Sequence, residues 1–277
     1  KGQNVIVATV GTLLYPIEGE PFEIKKSKIR GQVSEGMICA EDEIGIGKSH
    51  DGIIVLYEDV LPGTPASEIY SVETDYIFEI GITPNRGDCL SVLGIAREVA
   101  ALTGKSWKVP EIDLQEGSVE IRERVSVEVP DIDLCPRYVV TMVEGVKIGP
   151  SPFKERLRLH RVGLRPISNV VDATNLLLVE CGQPLHAFDY ELLEESKIIV
   201  RRCDPGEIFT TLDGTERKLP KDALMIRDGK RSVALAGIMG GLNSEINDNT
   251  KSVLIESACF ERFGIRRTAK ALGMSTE

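Results

Sequence analysis

The stretch Ser168–Asp189, SNVVDATNLLLVECGQPLHAFD, decides how this chain is to be read. Ser168–Glu180 has helical spacing, and Gly182–Asp189 breaks that period. Gly182 can adopt the left-handed conformation that closes a helix, and Pro184 stiffens the backbone behind it. His186 is one of only three histidines in 277 residues, and it stands on this stiffened turn between Leu185 and Ala187. A side chain that titrates near neutrality suits recognition or proton handling there. It equally suits a part-buried histidine that satisfies its own hydrogen bonds, and both readings stay open. Thr174 and Asn175, on the helical half, either bond a ligand at a pocket wall or bond back to their own helix.

Downstream of Asp189 the pattern becomes a β-meander. Asp213-Gly214 and Asp228-Gly229 each lie between strand-like runs, which is a strong hairpin signal. SVALAGIMGG (232–241) and SVLIESACF (252–260) read as further strands, and FGIRRTAKALG (263–273) returns to helical spacing. Alternation puts Glu256 on the face of Leu254 and Ala258. A carboxylate on an apolar face needs a specific partner, because burying it alone is costly; that partner is either structural or a ligand. Gly237 and Gly240 let a ligand approach the backbone closely or simply make a tight turn. The run lacks the Gly-Lys-Ser/Thr ending of a nucleotide-binding loop.

Upstream, residues 1–74 read as all-β, with runs such as NVIVATVG, GMICAED and GIIVLYED suggesting a small barrel or part of one. Residues 75–105 read as a strand, a Pro-Asn turn and a helix. In that helix Asp88 is placed to cap, Val92, Leu93, Ala96, Val99 and Ala100 form the apolar stripe, and Gly104 stops it. The polar stretch 109–123 is the linker candidate. From Val125 onward VSVEV and RYVVTMVEGV read as strands, and SPFKERLRLHRVG as a helix begun by Ser151 with Pro152 in its first turn. The division expected is therefore 1–74, 75–123 and 124–277, in an α+β architecture.

Hydrophobic residues make up 42% and charged residues 27% of the chain, ordinary for a soluble globular protein. No apolar run is long enough to cross a bilayer and Lys1 opens no signal peptide, so no membrane partner and a cytoplasmic setting are expected. Six scattered cysteines have no zinc-site spacing and are expected to be reduced and mostly buried. A net charge of -10 disfavours RNA binding over the whole surface but leaves local basic patches. Two are candidates: Lys154, Arg156, Arg158, Arg161 and Arg165; and Arg262, Arg266, Arg267 and Lys270. In the second, Arg262, Arg266 and Lys270 share a face if the segment is helical. No metal-spaced histidine pair, nucleophile elbow or catalytic triad is seen, so hydrolysis here would position water.

Several pieces taken together resemble the β subunit of bacterial phenylalanyl-tRNA synthetase. They are TPNRGDCLSVLGIAREVAALTG (83–104), GLRPISNVVDATNLLLVECGQPLHAFD (163–189), TLDGTERKL (211–219), ALAGIMGG (234–241) and VLIESACF (253–260). KSKIRGQVSEGMICAEDEIG (26–45) resembles later strands of that family's OB-fold, a tRNA-binding-like domain. The resemblance implies a partial OB-like barrel segment followed by a mixed α/β editing module, within a piece of a longer polypeptide. It implies that the parent, an aminoacyl-tRNA ligase, joins phenylalanine to its tRNA with ATP and magnesium held elsewhere. It implies that 124–277 hydrolyses tyrosine mischarged onto that tRNA. By position in the motifs, His186, Thr174 and Asn175 fall on catalytic positions, and Glu256, Gly237, Gly240 and Thr276 on the substrate pocket. No metal or cofactor is expected in this segment. Partners implied are the tRNA and the α subunit of an α2β2 heterotetramer. The competing reading is a non-catalytic RNA- and subunit-docking scaffold within the same synthetase.

Overall fold

The structure is a computed structural model that describes residues 2–47, 50, 52–56, 60–70 and 76–274. In chain order its first elements are β1 (Asn4–Val5), β2 (Val7–Thr9), β3 (Leu13–Leu14), β4 (Phe22–Glu23), β5 (Ser27–Ile29), β6 (Gln32–Ser34), β7 (Gly36–Ile38), β8 (Val55–Leu56) and α1 (Ala66–Ile69). There follow α2 (Val92–Thr103), β9 (Ser126–Glu128), β10 (Arg137–Glu144), α3 (Phe153–Arg161), α4 (Asn169–Cys181), β11 (Leu185–Asp189) and β12 (Lys197–Arg202). The last are β13 (Ile208–Thr210), β14 (Glu216–Lys218), β15 (Leu224–Arg227), β16 (Ser232–Leu235), β17 (Met239–Gly240), β18 (Ser252–Cys259) and α5 (Arg262–Ala271). This is the mixed α+β composition expected. The chain forms two compact units, Lys1–Ile80 with Pro152–Arg165, and Gly81–Ser151 with Pro166–Glu277.

In the first unit, β1 pairs with β8, β2 with β7, β3 with β4 and β5 with β6, all antiparallel. Ile6, Ala8, Leu14, Ile24, Cys39, Ile54 and Tyr70 form its small core, against which Phe153 of α3 packs. The closed barrel allowed by the sequence does not form among the described residues. A barrel needs each strand to pair along both edges, and these ladders are two-stranded and two or three residues long. Residues 57–59, at the end of the GIIVLYED run, lie outside the described residues. Arg156 pairs with Glu41 at 2.5 Å, so part of the first basic patch is tied up internally.

α3 begins one residue later than the sequence suggested. Pro152 occupies the N-cap with extended ψ (145°). Ser151 caps nothing there, because its hydroxyl donates instead to the buried Asp172 carboxylate at 2.6 Å.

Residues 76–83, at the end of the first unit and the start of the second, form no strand, and Tyr76, Ile77 and Phe78 are exposed. Among the described residues no strand ladder includes them, and strand propensity is realised only on a pleated, half-buried surface. α2 ends at Gly104 in the left-handed conformation (φ 68°), as expected, but Ser91 caps it, accepting from the Gly94 N–H at 3.0 Å. Asp88 sits a turn too early, in a 3₁₀ turn, where Arg86 holds it in an ion pair at 3.0 Å. Of the expected stripe, Ala100 is buried while Val92 and Val99 are exposed.

α4 covers almost the span read from the sequence and closes at Gly182 (φ 77°). Two sheets then carry the rest: a three-stranded sheet in the order β10-β18-β11 and a five-stranded sheet β17-β16-β15-β12-β9, antiparallel except where β9 meets β12. Both Asp-Gly pairs make hairpin turns, joining β13 to β14 and β15 to β16. The sheets share one core, in which Phe188 and Leu254 of the first meet Ile198, Val200, Ile226 and Val233 of the second. The six cysteine sulfurs are unpaired; Cys39, Cys89 and Cys135 are buried, but Cys181 and Cys259 are exposed. No helix among the described residues is long and apolar enough to cross a membrane.

Candidate functional site

Residues of both sheets, together with α4 and α5, line a cavity of about 1180 Å³. The central strand β18 supplies Glu256 and Ala258, β11 supplies Leu185 and His186, and β16 with the turn after it supplies Ala234, Leu235, Gly237, Ile238, Met239 and Gly240. α5 closes one side with Arg262, Ile265, Arg266, Ala269 and Lys270.

The register explains the first group. On β18, Glu256 is opposite Val140 of β10 and opposite His186 of β11. Alternation then puts Leu254, Glu256, Tyr138, His186 and Phe188 on one face. His186 therefore belongs to a strand, not to the turn its sequence suggested. The turn is over by Pro184, and the residues that follow pair with the edge of β18 because that edge is otherwise open.

Glu256 is 5% exposed and lies in apolar surroundings. Burial raises its carboxyl to about 7, and a hydrogen bond from the Tyr138 phenol, 2.7 Å from Oε2, opposes that rise. Tyr138 is the donor the sequence reading missed. It is 118 residues from Glu256 in the chain, and the diagonal between neighbouring strands that joins them is visible only once β10 and β18 are in register. Among the described residues no second donor reaches Glu256, so Oε1 is left to the cavity. Burial likewise lowers the His186 imidazole to about 4, keeping it neutral at physiological pH. Its ring packs edge-on to Phe188, with centroids 4.5 Å apart, and makes no hydrogen bond to the described protein atoms.

The glycines hold the wall back. A Cβ on Gly240 would come within 2.6 Å of the His186 ring and 2.9 Å of Leu212, so the imidazole lies directly over this backbone. Gly237 has φ +64°, and a Cβ there would press on Phe260 at 3.1 Å. The turn Ala236–Ile238 makes the tight reversal at Gly237, and at Gly240 it is the protein's own His186 and Leu212 that come close to the backbone.

Four expected site residues, His186, Glu256, Gly237 and Gly240, meet at this cavity. Thr174 and Asn175 are not among the residues lining it. Thr174 bonds back to the Val171 carbonyl at 2.7 Å, and the α4 side chain that reaches the cavity is Leu178, one turn further along. Thr276 lies outside the described residues. At the rim, Arg262, Arg266 and Lys270 share a face of α5, as their spacing predicted, and have no carboxylate partner among the described residues. Glu261 caps this helix, accepting from the Phe263 and Gly264 N–H groups.

No metal centre is built into the cavity, where Glu256 is the one carboxylate among its lining residues. Elsewhere, Asp88, Cys89 and Glu98 cluster closely enough to share an ion, but Arg86 already bridges both carboxylates.

Comparison with known proteins adds to this geometry. The B3/4 domain family matches residues 134–277. Over 256 residues the chain is 53% identical to the phenylalanine--tRNA ligase beta subunit of Syntrophus aciditrophicus, covering 92% of this chain and 32% of that protein. It is 51% identical to the same subunit of Geobacter sulfurreducens over 276 residues, covering 100% of this chain and 34% of that one. The chain thus spans about a third of the length of the curated relatives it matches. An N-terminal fragment of the Pyrococcus horikoshii phenylalanyl-tRNA synthetase beta subunit aligns over 68% of this chain and 59% of its own, at 16% identity and a TM-score of 0.39, too weak a likeness to carry an argument. The resemblance drawn from the sequence motifs is borne out.

Proposed function

The chain belongs to the B3/4 domain family, and from that premise we propose that its cavity is the editing site of a phenylalanine--tRNA ligase, hydrolysing tyrosine wrongly esterified to the phenylalanine tRNA. The observation that carries this reading is Glu256, a buried carboxylate lining a cavity with room for an aromatic amino acid and the end of its carrier. Phenylalanine and tyrosine differ by one hydroxyl, which an apolar synthetic pocket rejects weakly, whereas a site built to bond that hydroxyl discriminates strongly against its absence. A tyrosine phenol would donate to Glu256 Oε1. Phenylalanine would leave that desolvated oxygen without a donor, at a cost of about 1 to 3 kcal/mol, or roughly 5- to 150-fold in preference.

The remaining groups suit ester hydrolysis by an oriented water. Neutral His186, lying over Gly240, can accept a hydrogen bond from water or from the terminal ribose. Gly237 and Gly240 keep the wall low enough for an aromatic ring. The cations Arg262, Arg266 and Lys270 give the RNA phosphates a landing at the rim. ATP and magnesium belong to the synthetic site of the whole ligase. The α subunit and the rest of the tRNA would be held by parts of the ligase outside this chain.

The test is Glu256→Ala in the complete ligase. Tyrosyl-tRNA should accumulate while phenylalanine activation is unchanged; deacylation at the wild-type rate would favour the docking-scaffold reading instead.

A further inference from the structure

We propose that Tyr138 is the specificity-determining partner of Glu256: its phenol holds Oε2 and so presents Oε1 to the cavity as the acceptor for one ligand phenol. The proposal deepens the editing reading and rests on it. Tyr138 and Glu256 are diagonal neighbours on one face of the β10–β18 ladder, because Tyr138 is opposite Ala258 and Val140 opposite Glu256. The phenol reaches Oε2 at 2.7 Å from the core side of the sheet, while Glu256 lines the cavity and Tyr138 does not. The carboxylate is thus held between an internal phenol and the space where a ligand's phenol would sit.

Two consequences follow from having a donor already in place. The hydrogen bond fixes the direction of the carboxyl group, so the acceptor meets the ligand in one orientation. It also favours the ionised form, which burial alone would suppress. An ionised oxygen accepts strongly from a phenol and is costly to leave bare beside a phenylalanine ring. A neutral carboxylic acid is cheaper to leave unpaired. Selectivity therefore depends on Glu256 being charged, and Tyr138 is the group that favours this charge.

The other ionisable groups around Glu256 titrate elsewhere. Tyr138 itself is raised well above 10 by burial and by Glu256, and Cys135, on the segment leading into β10, is pushed up to about 11. His186 on β11 stays neutral down to about 4. β15 and β16 face the cavity with Ile226, Ala234 and Leu235, and α5 lines it with Arg262, Arg266 and Lys270. A transition near pH 7 in this cavity therefore reports Glu256.

The test compares wild type with Tyr138→Phe, which deletes one oxygen and leaves the packing ring. In protein carrying ¹³C-labelled glutamate, the Glu256 carboxyl titration should move up by about 1 to 2 pH units, the size of a hydrogen bond to a charged acceptor. The ratio of tyrosyl-tRNA to phenylalanyl-tRNA hydrolysis should fall roughly tenfold at pH 7 and recover as the pH is raised by the same interval. Glu256→Gln should abolish that pH dependence, and adding Tyr138→Phe to it should change the ratio no further. An unmoved carboxyl titration, or an unchanged hydrolysis ratio at pH 7, would overturn the proposal and leave Tyr138 a packing residue. Should wild type hydrolyse neither ester, the editing reading fails. Titration of tyrosinamide and phenylalaninamide onto the Glu256 signal then decides alone: a tyrosinamide preference lost in Tyr138→Phe sustains the role, and no preference in wild type removes it.

Discussion

Glu256 and His186 face each other across paired strands, and burial moves their proton affinities in opposite directions. The folded state holds the Glu256 proton up to about 7, against 4.5 when exposed, so this group's contribution to stability is full below 4.5 and is lost as pH rises through 7. His186 is held neutral down to about 4, against 6.5, so its contribution is present above 6.5 and is lost as pH falls through 4. Between 4.5 and 6.5 the two slopes oppose each other, and their sum should be nearly flat. Glu256→Gln removes one of them. Urea denaturation of that variant should show stability rising with pH by about 1 kcal/mol per unit across the window; a slope unchanged from wild type would mean that Glu256 contributes none, and a flat variant beside a falling wild type that His186 is not desolvated. The rarity of histidine and the lone carboxylate on an apolar strand made both residues conspicuous in the sequence. Their pairing was not, because a register is a property of two strands.

At the scale of elements, local chemistry was legible wherever one residue type has a single cheap use. Gly104 and Gly182 end α2 and α4 in the left-handed conformation, and both Asp-Gly pairs turn hairpins. It misled where several residues could serve. Asp88 and Ser91 are both good capping types; the helix begins at Val92, and the residue before it wins. Ser91→Ala should therefore cost about 1 kcal/mol in a urea or thermal unfolding measurement. Asp88→Ala should leave hydrogen exchange at the start of α2 unchanged, whereas faster exchange there would restore Asp88 as the cap. Residues 76–83 mark the other kind of error. Strand propensity is a preference for a pleated, half-buried surface, and nothing among the described residues provides one there.

For the molecule as a whole, the formal charge of -10 conceals a local surplus of opposite sign. Arg262, Arg266 and Lys270 stand four residues apart on α5, so at 1.5 Å per residue they span about 12 Å, close to the rise of three or four stacked nucleotides. If they meet the phosphates of an RNA end entering the cavity, tRNA binding should weaken with salt. The triple variant Arg262→Ala, Arg266→Ala, Lys270→Ala should lower the slope of log K against log salt by about 2, near 0.7 per lost contact. Removing two exposed cations elsewhere on the same unit, Lys218 and Lys251, should leave the slope in place. An equal loss in both variants would reduce the rim to generic charge.

The sequence alone determined the α+β class, the family, the two helix ends at Gly104 and Gly182, the hairpins, and the short set of residues from which the site is built. Each follows from interactions within a few residues or from motifs that read locally. Tertiary structure decided the rest. It placed His186 on a strand beside Glu256, closed the cavity with α5, turned Thr174 back onto its own helix and brought the Tyr138 phenol to the buried carboxylate. Those outcomes depend on which strand edges are free to pair and on which charges lose their water, and neither is set until distant segments meet.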